Sequence, residues 1–212
     1  LGSKALAIST DVSDSLQVDN MVARTLEQFG KVDVLINNAG KVSENVQSPI
    51  WDISDEEWRI GIDVNLSGAF FCARAVSKHM VDRGSGKIVN VASGFGLRGG
   101  RDIYIYTCSK GGMIQLTRTL AISLGRYRVT ANTIVPGFIP TAAAAAMKES
   151  LPNSGATIPI GRLGEPEDIG PIAVFLASEA SNYMNGEIMT LDGGGLAGGI
   201  APTGHSPVGE LS

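Results

Sequence analysis

Apolar residues in this chain fall into two alternating patterns, short unbroken runs and longer stretches repeating every three or four positions. A short run bounded by turn residues predicts a buried strand, and the longer repeat predicts an amphipathic helix. Ala5 to Ser9 is the first run, read as a buried strand leading into Thr10-Asp11-Val12. Asp14 with Gln17 three residues on has the form of a capping box. Val18, Met21, Val22, Leu26 and Phe29 follow at helical spacing, and Gly30 closes that helix. Val32 to Asn37 is a second strand, stopped by the turn Asn38-Ala39-Gly40. Ser54 with Glu57 forms another capping box before one long helix, whose apolar stripe runs through Trp58, Ile62, Leu66, Ala69, Phe70, Ala73, Val76 and Met80. Gly84 to Gly86 breaks it. Lys87 to Ala92 is a third strand with Ser93 at its end, and Val129 to Val135 is a fourth, stopped by Pro136-Gly137. Between them lies a helix through Leu124 that Tyr106 and Lys110 open. Thr141 to Gly161 carries no clear period. Glu165-Pro166 starts a helix through Ala177, and Glu187 to Leu191 is a last strand before Asp192-Gly193-Gly194.

Strands that alternate with helices give βαβ units, so the expected fold is α/β, a doubly wound parallel sheet. Ligands bind such sheets outside the carboxyl ends of the strands. Asp11, Asn38, Ser93 and Pro136-Gly137 all fall at those ends and would line one cleft.

Length and composition narrow the function classes. The 212 residues suit one α/β domain, read here as residues 1–195, with a Gly/Pro-rich tail over 196–212. Hydrophobic residues are 43% and charged ones 18%, a globular balance. The net charge of −4 gives no support to a nucleic-acid partner. Two cysteines without a CxxC spacing argue against a disulfide framework and fit a cytoplasmic protein. Two histidines, His79 and His205, do not suggest a metal site. No apolar run reaches membrane-spanning length, and no signal-peptide pattern opens the chain.

The chemistry is concentrated at Tyr106 and Lys110. Residues at i and i+4 share one helix face, so a phenol and an ammonium can point into the same space. A free tyrosine has a pKa of about 10, and lowering it to about 7 takes roughly 4 kcal/mol. A lysine, the cationic ring of a bound cofactor and hydrogen-bond donors together could supply that and yield a general acid/base for an alcohol oxygen. Other readings of these residues stay open at this point. A Tyr–Lys pair at this spacing also occurs in helices without chemistry. Asn65 could face solvent, Ser93 could cap a strand end, Asp11 could cap a helix, and Asn38 with Gly40 could simply make a turn. A hydrolase built on Ser93 has no G-x-S-x-G elbow and no suitably placed histidine. Two G-x-G-x-x-G matches, Gly94 to Gly99 and Gly193 to Gly198, lack the strand–turn–helix setting or the acidic residue of a dinucleotide fingerprint.

The ordered set Asp11-Val12, Asn37-Asn38-Ala39-Gly40, Val64-Asn65-Leu66, Ser93, Tyr106, Lys110, Pro136-Gly137-x-x-x-Thr141 and Asp192-Gly193-Gly194 resembles the short-chain dehydrogenase/reductase family. The resemblance implies an NAD(P)-dependent oxidoreductase interconverting an alcohol and a carbonyl by hydride transfer. Tyr106 would be the acid/base, and Lys110 would lower its pKa and hold the nicotinamide ribose. Ser93 would polarise the substrate carbonyl, and Asn65 would fix a water leading to Lys110. Asp11 and Val12 would contact the adenine, and Asn38, Ala39 and Gly40 would flank the adenosine ribose. Pro136, Gly137, Ile139 and Thr141 would hold the carboxamide. The resemblance also implies a homo-oligomer, dimer or tetramer, paired through the two long helices. The family's glycine-rich phosphate turn and the strand that selects NAD or NADP have no match here. The chain reads as a Rossmann-like fold lacking about two N-terminal βα units, so the choice of cofactor stays open. With the flanking strands unmatched, the Ala5–Ser9 strand faces a gap, unless it shifts inward to pair beside Val32 to Asn37. A catalytically silent remnant that serves as a subunit-interaction module is the other reading.

Overall fold

A computed structural model of the chain describes residues 5–41, 48–140 and 158–198. Helix α1, Ser15–Phe29, starts where Asp14 accepts hydrogen bonds from the Leu16 and Gln17 amides. The return arm of the expected capping box goes elsewhere: Gln17 donates to the Asp14 carboxylate and accepts from the Asp11 amide. Strand β1 is Val34–Asn37. It begins two residues later than its apolar run because Val32 is taken up by side chains. Its N–H donates to His79 Nε2, and its carbonyl accepts from Arg83. Helix α2, Asp55–Ile62, carries the Ser54–Glu57 capping box, with both arms formed. Helix α3, Gly68–Arg83, follows after a π-helical turn, Asp63–Ser67. The single long helix expected here is therefore interrupted, because one extra residue is looped into the i→i+5 turn. Strand β2 is Gly86–Val91, helix α4 is Tyr104–Leu124 and strand β3 is Val129–Pro136. Helix α5, Pro166–Ala177, has proline in its first turn and a Glu165–Asp168 cap, and strand β4 is Ile188–Leu191.

The four strands form one parallel sheet in the order β1-β2-β3-β4. Residues alternate between its faces. Ile88, Val129 and Ala131 pack with Val22, Val76 and Met80 of α1 and α3. Val135 packs with Met113 and Ile114 of α4. Val89 and Ile134 face the other way, against Leu176 of α5. Helices cover both faces, as the doubly wound reading requires.

Ala5 to Ser9 corrects the sequence reading. It forms no strand, and its residues are exposed or half-exposed. An apolar run becomes a strand only beside a partner that takes its backbone hydrogen bonds. Among the described residues β1 pairs with β2 alone, so Ala5 to Ser9 does not shift inward and the expected open edge is present. Thr141 and the alanine run at 142–146 lie outside the described residues.

One buried polar network ties the layers together. Asn37 donates to Asn90, whose amide donates to Thr117 of α4 at 2.8 Å. The Thr133 hydroxyl of β3 also donates to Thr117, at 2.7 Å, and Thr117 donates to the Met113 carbonyl. A single hydroxyl thus joins two strands to α4. Thr117→Val keeps the shape and orphans Asn90 and Thr133, at roughly 1–3 kcal/mol for each buried unpaired group. Urea denaturation should show a loss of roughly 2–5 kcal/mol. A change below about 1 kcal/mol would mean that the network carries little stability.

Candidate active site

Asn37, Val91 and Pro136 end three adjacent strands, and the residues just beyond them build the site. Asn38, Ala39 and Gly40 leave β1 on the exposed rim. Asn65 is 1% exposed and does not face solvent. Its carboxamide clasps the backbone of Lys41, accepting from the N–H at 2.7 Å and donating to the carbonyl at 2.9 Å. The π turn makes this possible, since it aims one side chain inward from the joint between two helices. Gly40 lies so close that an added Cβ would stand 3.1 Å from Asn65 Oδ1 and 3.5 Å from Lys110 Nζ. That turn, Asn65 and Lys110 therefore share one small space.

Lys110 is 4% exposed and donates from Nζ to the Val91 carbonyl at 2.9 Å. The short loop after Ser93 crosses directly over it. A Cβ on Gly96 would meet the Lys110 backbone at 2.8 Å, so that crossing needs glycine. Burial lowers the Lys110 pKa to about 8. Nζ lies 5.6 Å from the centroid of the Tyr106 ring, over its face. Phe95 packs edge-to-face with the same ring, with centroids 6.4 Å apart.

Ser93 has an extended backbone, and its Oγ accepts from the Phe95 amide. The capping reading thus holds, and the same hydroxyl lies near enough to the Tyr106 phenol to favour its ionised form. Burial pushes the phenol above its ordinary range, and Ser93 pulls the other way. Nζ is held by Val91 over the ring, and desolvation of the phenolate outweighs the Ser93 effect.

The remaining candidates divide. Pro136 and Gly137 sit at the β3 exit, where the Gly137 amide donates to the Leu191 carbonyl. Ile139 helps line a cavity of about 160 Å³ beside Gly137, together with Phe138, Ile160 and Leu191. Tyr106 and Ser93 are not part of its wall. Asp11 and Val12 stand away from the tyrosine. The Asp11 carboxylate accepts from the Ser13 amide and hydroxyl, while Val12 packs on Gly68 at the start of α3. Sequence reasoning missed the Val91 carbonyl, a backbone group with no side-chain signal. It also missed the packing role of Phe95, whose neighbours in sequence look like an ordinary loop. Among the described residues no three His, Cys, Asp or Glu side chains group as metal ligands, and no helix is long and apolar enough to cross a membrane.

A tyrosine, a buried lysine and a serine thus meet at the C-terminal edge of a parallel sheet, and a family model described as enoyl-(acyl carrier protein) reductase matches residues 1–195. The chain is a short-chain dehydrogenase/reductase. It is 37% identical over 198 residues to the (2S)-[(R)-hydroxy(phenyl)methyl]succinyl-CoA dehydrogenase subunit BbsD of Thauera aromatica, a match covering 91% of this chain and 77% of that one. It is 36% identical over 196 residues to the 3-oxoacyl-[acyl-carrier-protein] reductase of a Synechocystis species, covering 91% and 76%. A gluconate 5-dehydrogenase from Burkholderia cenocepacia, solved in complex with NADP and tartrate, superposes with a TM-score of 0.79 at 31% identity. That match covers 87% of this chain and 72% of the other. This short-chain dehydrogenase/reductase is accordingly an NAD(P)-dependent oxidoreductase.

Lys110 fits a nicotinamide nucleotide on its own geometry. Its ammonium has three protons, and one is given to Val91. A Cβ on Gly40 would stand 3.5 Å from Nζ, so the ammonium borders the space that this glycine leaves open.

Proposed function

We propose that the enzyme interconverts an alcohol and a carbonyl, with Tyr106 as the general acid/base. The observation that carries this is the meeting of Ser93 and Tyr106 hydroxyls beside a buried Lys110. The nicotinamide, when bound, supplies or accepts the hydride. Ser93 holds the substrate oxygen, and Tyr106 gives it a proton or takes one from it. Lys110 holds the ribose hydroxyls, and its charge favours loss of the phenol proton. Pro136, Gly137, Ile139 and Thr141 serve the carboxamide of that nucleotide, while Asp11, Val12, Asn38, Ala39 and Gly40 serve its adenosine end. Incubating the enzyme with NADPH or NADH and a panel of ketones, and following absorbance at the nicotinamide band, tests the reading directly. A panel that gives no oxidation of either cofactor would sink it.

A packing module has no use for a lysine whose burial costs stability, so the site speaks for catalysis over a silent remnant. The unpaired thiols of Cys72 and Cys108 suit a cytoplasmic setting. Association is also part of the proposal. Phe70 of α3 and Ile122 of α4 are exposed, as is Trp58 of α2, and all three belong to the helices expected to pair. Light scattering at micromolar concentration should show a dimer or tetramer. A monomer would contradict it.

A further inference from the structure

Beyond Leu191 the chain does not leave the site. The Asp192 carboxylate accepts from the Gly194 amide at 2.9 Å with one oxygen and from the Leu196 amide at 2.7 Å with the other. Its carbonyl accepts from the Gly195 amide. One aspartate thus winds the next four residues into a compact turn. The turn is braced from below, since a Cβ on Gly137 would stand 2.7 Å from the Asp192 Cα. At its far end is the Leu196 side chain. A Cβ on Gly94, the residue after Ser93, would lie 3.6 Å from Leu196 Cδ1 and 4.0 Å from the Pro136 carbonyl oxygen. Leu196 therefore borders Gly94, the residue next to the serine that holds the substrate oxygen.

The loop that carries Gly94 adds Phe95, whose ring has the Arg98 guanidinium 4.9 Å from its centroid, and Leu97. Phe95 packs against Tyr106, and Leu97 follows it on the same loop with 45% of its surface exposed. Leu196 makes few demands on the core, because it is half-buried and belongs to none of the buried apolar clusters.

We propose that Leu196 is a specificity-determining residue, forming the wall against which one substituent of the substrate carbonyl packs. Leu196 offers a hydrocarbon wall, and the exposed Leu97 belongs to the loop that carries Gly94, so that substituent is apolar. The substrate class is a ketone, or its secondary alcohol, with a hydrocarbon group on the reacting carbon rather than a polyol. The proposal rests on the Ser93–Tyr106 reading of the site.

The test uses the full chain, Leu196→Ala, Leu196→Trp and Tyr106→Phe, with two β-keto esters, ethyl acetoacetate and ethyl benzoylacetate. These present a methyl and a phenyl group beside the same carbonyl. Leu196→Ala should raise kcat/KM for the phenyl ester relative to the methyl ester by about tenfold or more, the size expected for room in an apolar pocket. Leu196→Trp should move the ratio the other way, and the KM for cofactor should stay within about twofold in both. Thermal melts check that the variants fold. If the parent enzyme turns over either ester and the ratio stays within about twofold in both variants, Leu196 is not a pocket wall and only this inference falls. If the parent reduces other ketones but neither ester, only this inference falls; if Tyr106→Phe retains full turnover, the reading of the site falls and takes the inference with it.

Discussion

Replacing Tyr106 with phenylalanine should lower kcat by about a hundred- to ten-thousandfold, the usual contribution of a positioned acid/base. Only one oxygen is removed. The ring still packs against Phe95, and Lys110 stays tied to the Val91 carbonyl. Cofactor binding should therefore change by no more than a few fold. Separate titration of the cofactor against the variant distinguishes lost chemistry from lost binding. A variant that turns over at the parent rate would remove Tyr106 from the reaction.

Lys110→Met should produce two opposite effects. Turnover should fall steeply, because the ammonium that holds the ribose and favours the phenolate is gone. Folding stability at pH 7 should rise. The folded pKa of Lys110 is about 8, below its ordinary 10.5. Between those values the unfolded chain binds more protons than the folded one, so stability increases with pH across that window. The cost of burying the charge is accordingly complete below pH 8 and relieved toward 10.5. Methionine removes that cost, so the variant should gain on the order of 1–3 kcal/mol at neutral pH. Its advantage should shrink as pH climbs from 8. The pH–rate profile of the parent should show a limb near 8 that the variant lacks. Equal stability at pH 7 and an unchanged profile would show that Lys110 is neither strained nor titrating in the working range. A gain in stability matched by loss of activity is what a group kept for function predicts.

Much of the frame was legible because its signals are local. The Ser54–Glu57 cap, the stop at Gly30 and the apolar runs of β2 and β3 each depend on neighbours within a few residues. So does the i, i+4 placement of Tyr106 and Lys110. What escaped depends on contacts distant in sequence. Ala5 to Ser9 has the composition of a strand but no ladder partner. Val32 is drawn out of β1 by His79, forty-seven residues away. The direction of the Tyr106 shift turns on how deeply the ring is buried, which cannot be read from spacing. Leu196 sits in a glycine-rich stretch that reads as loop, and only the two carboxylate bonds of Asp192 show that it has a fixed place.

The π turn at Asp63–Ser67 sets a rule for insertions and deletions. An α-helix advances about 100° per residue. Removing any one residue from this stretch would let α2 and α3 merge into a regular helix, yet it would rotate one relative to the other by about that angle. The apolar stripe of α2 would swing off α4, and the carboxamide that clasps Lys41 would turn away from it. Substitutions can be absorbed here one side chain at a time, but chain length cannot. Among variants of this protein, stretches 63–67 that differ in sequence should outnumber those that differ in length.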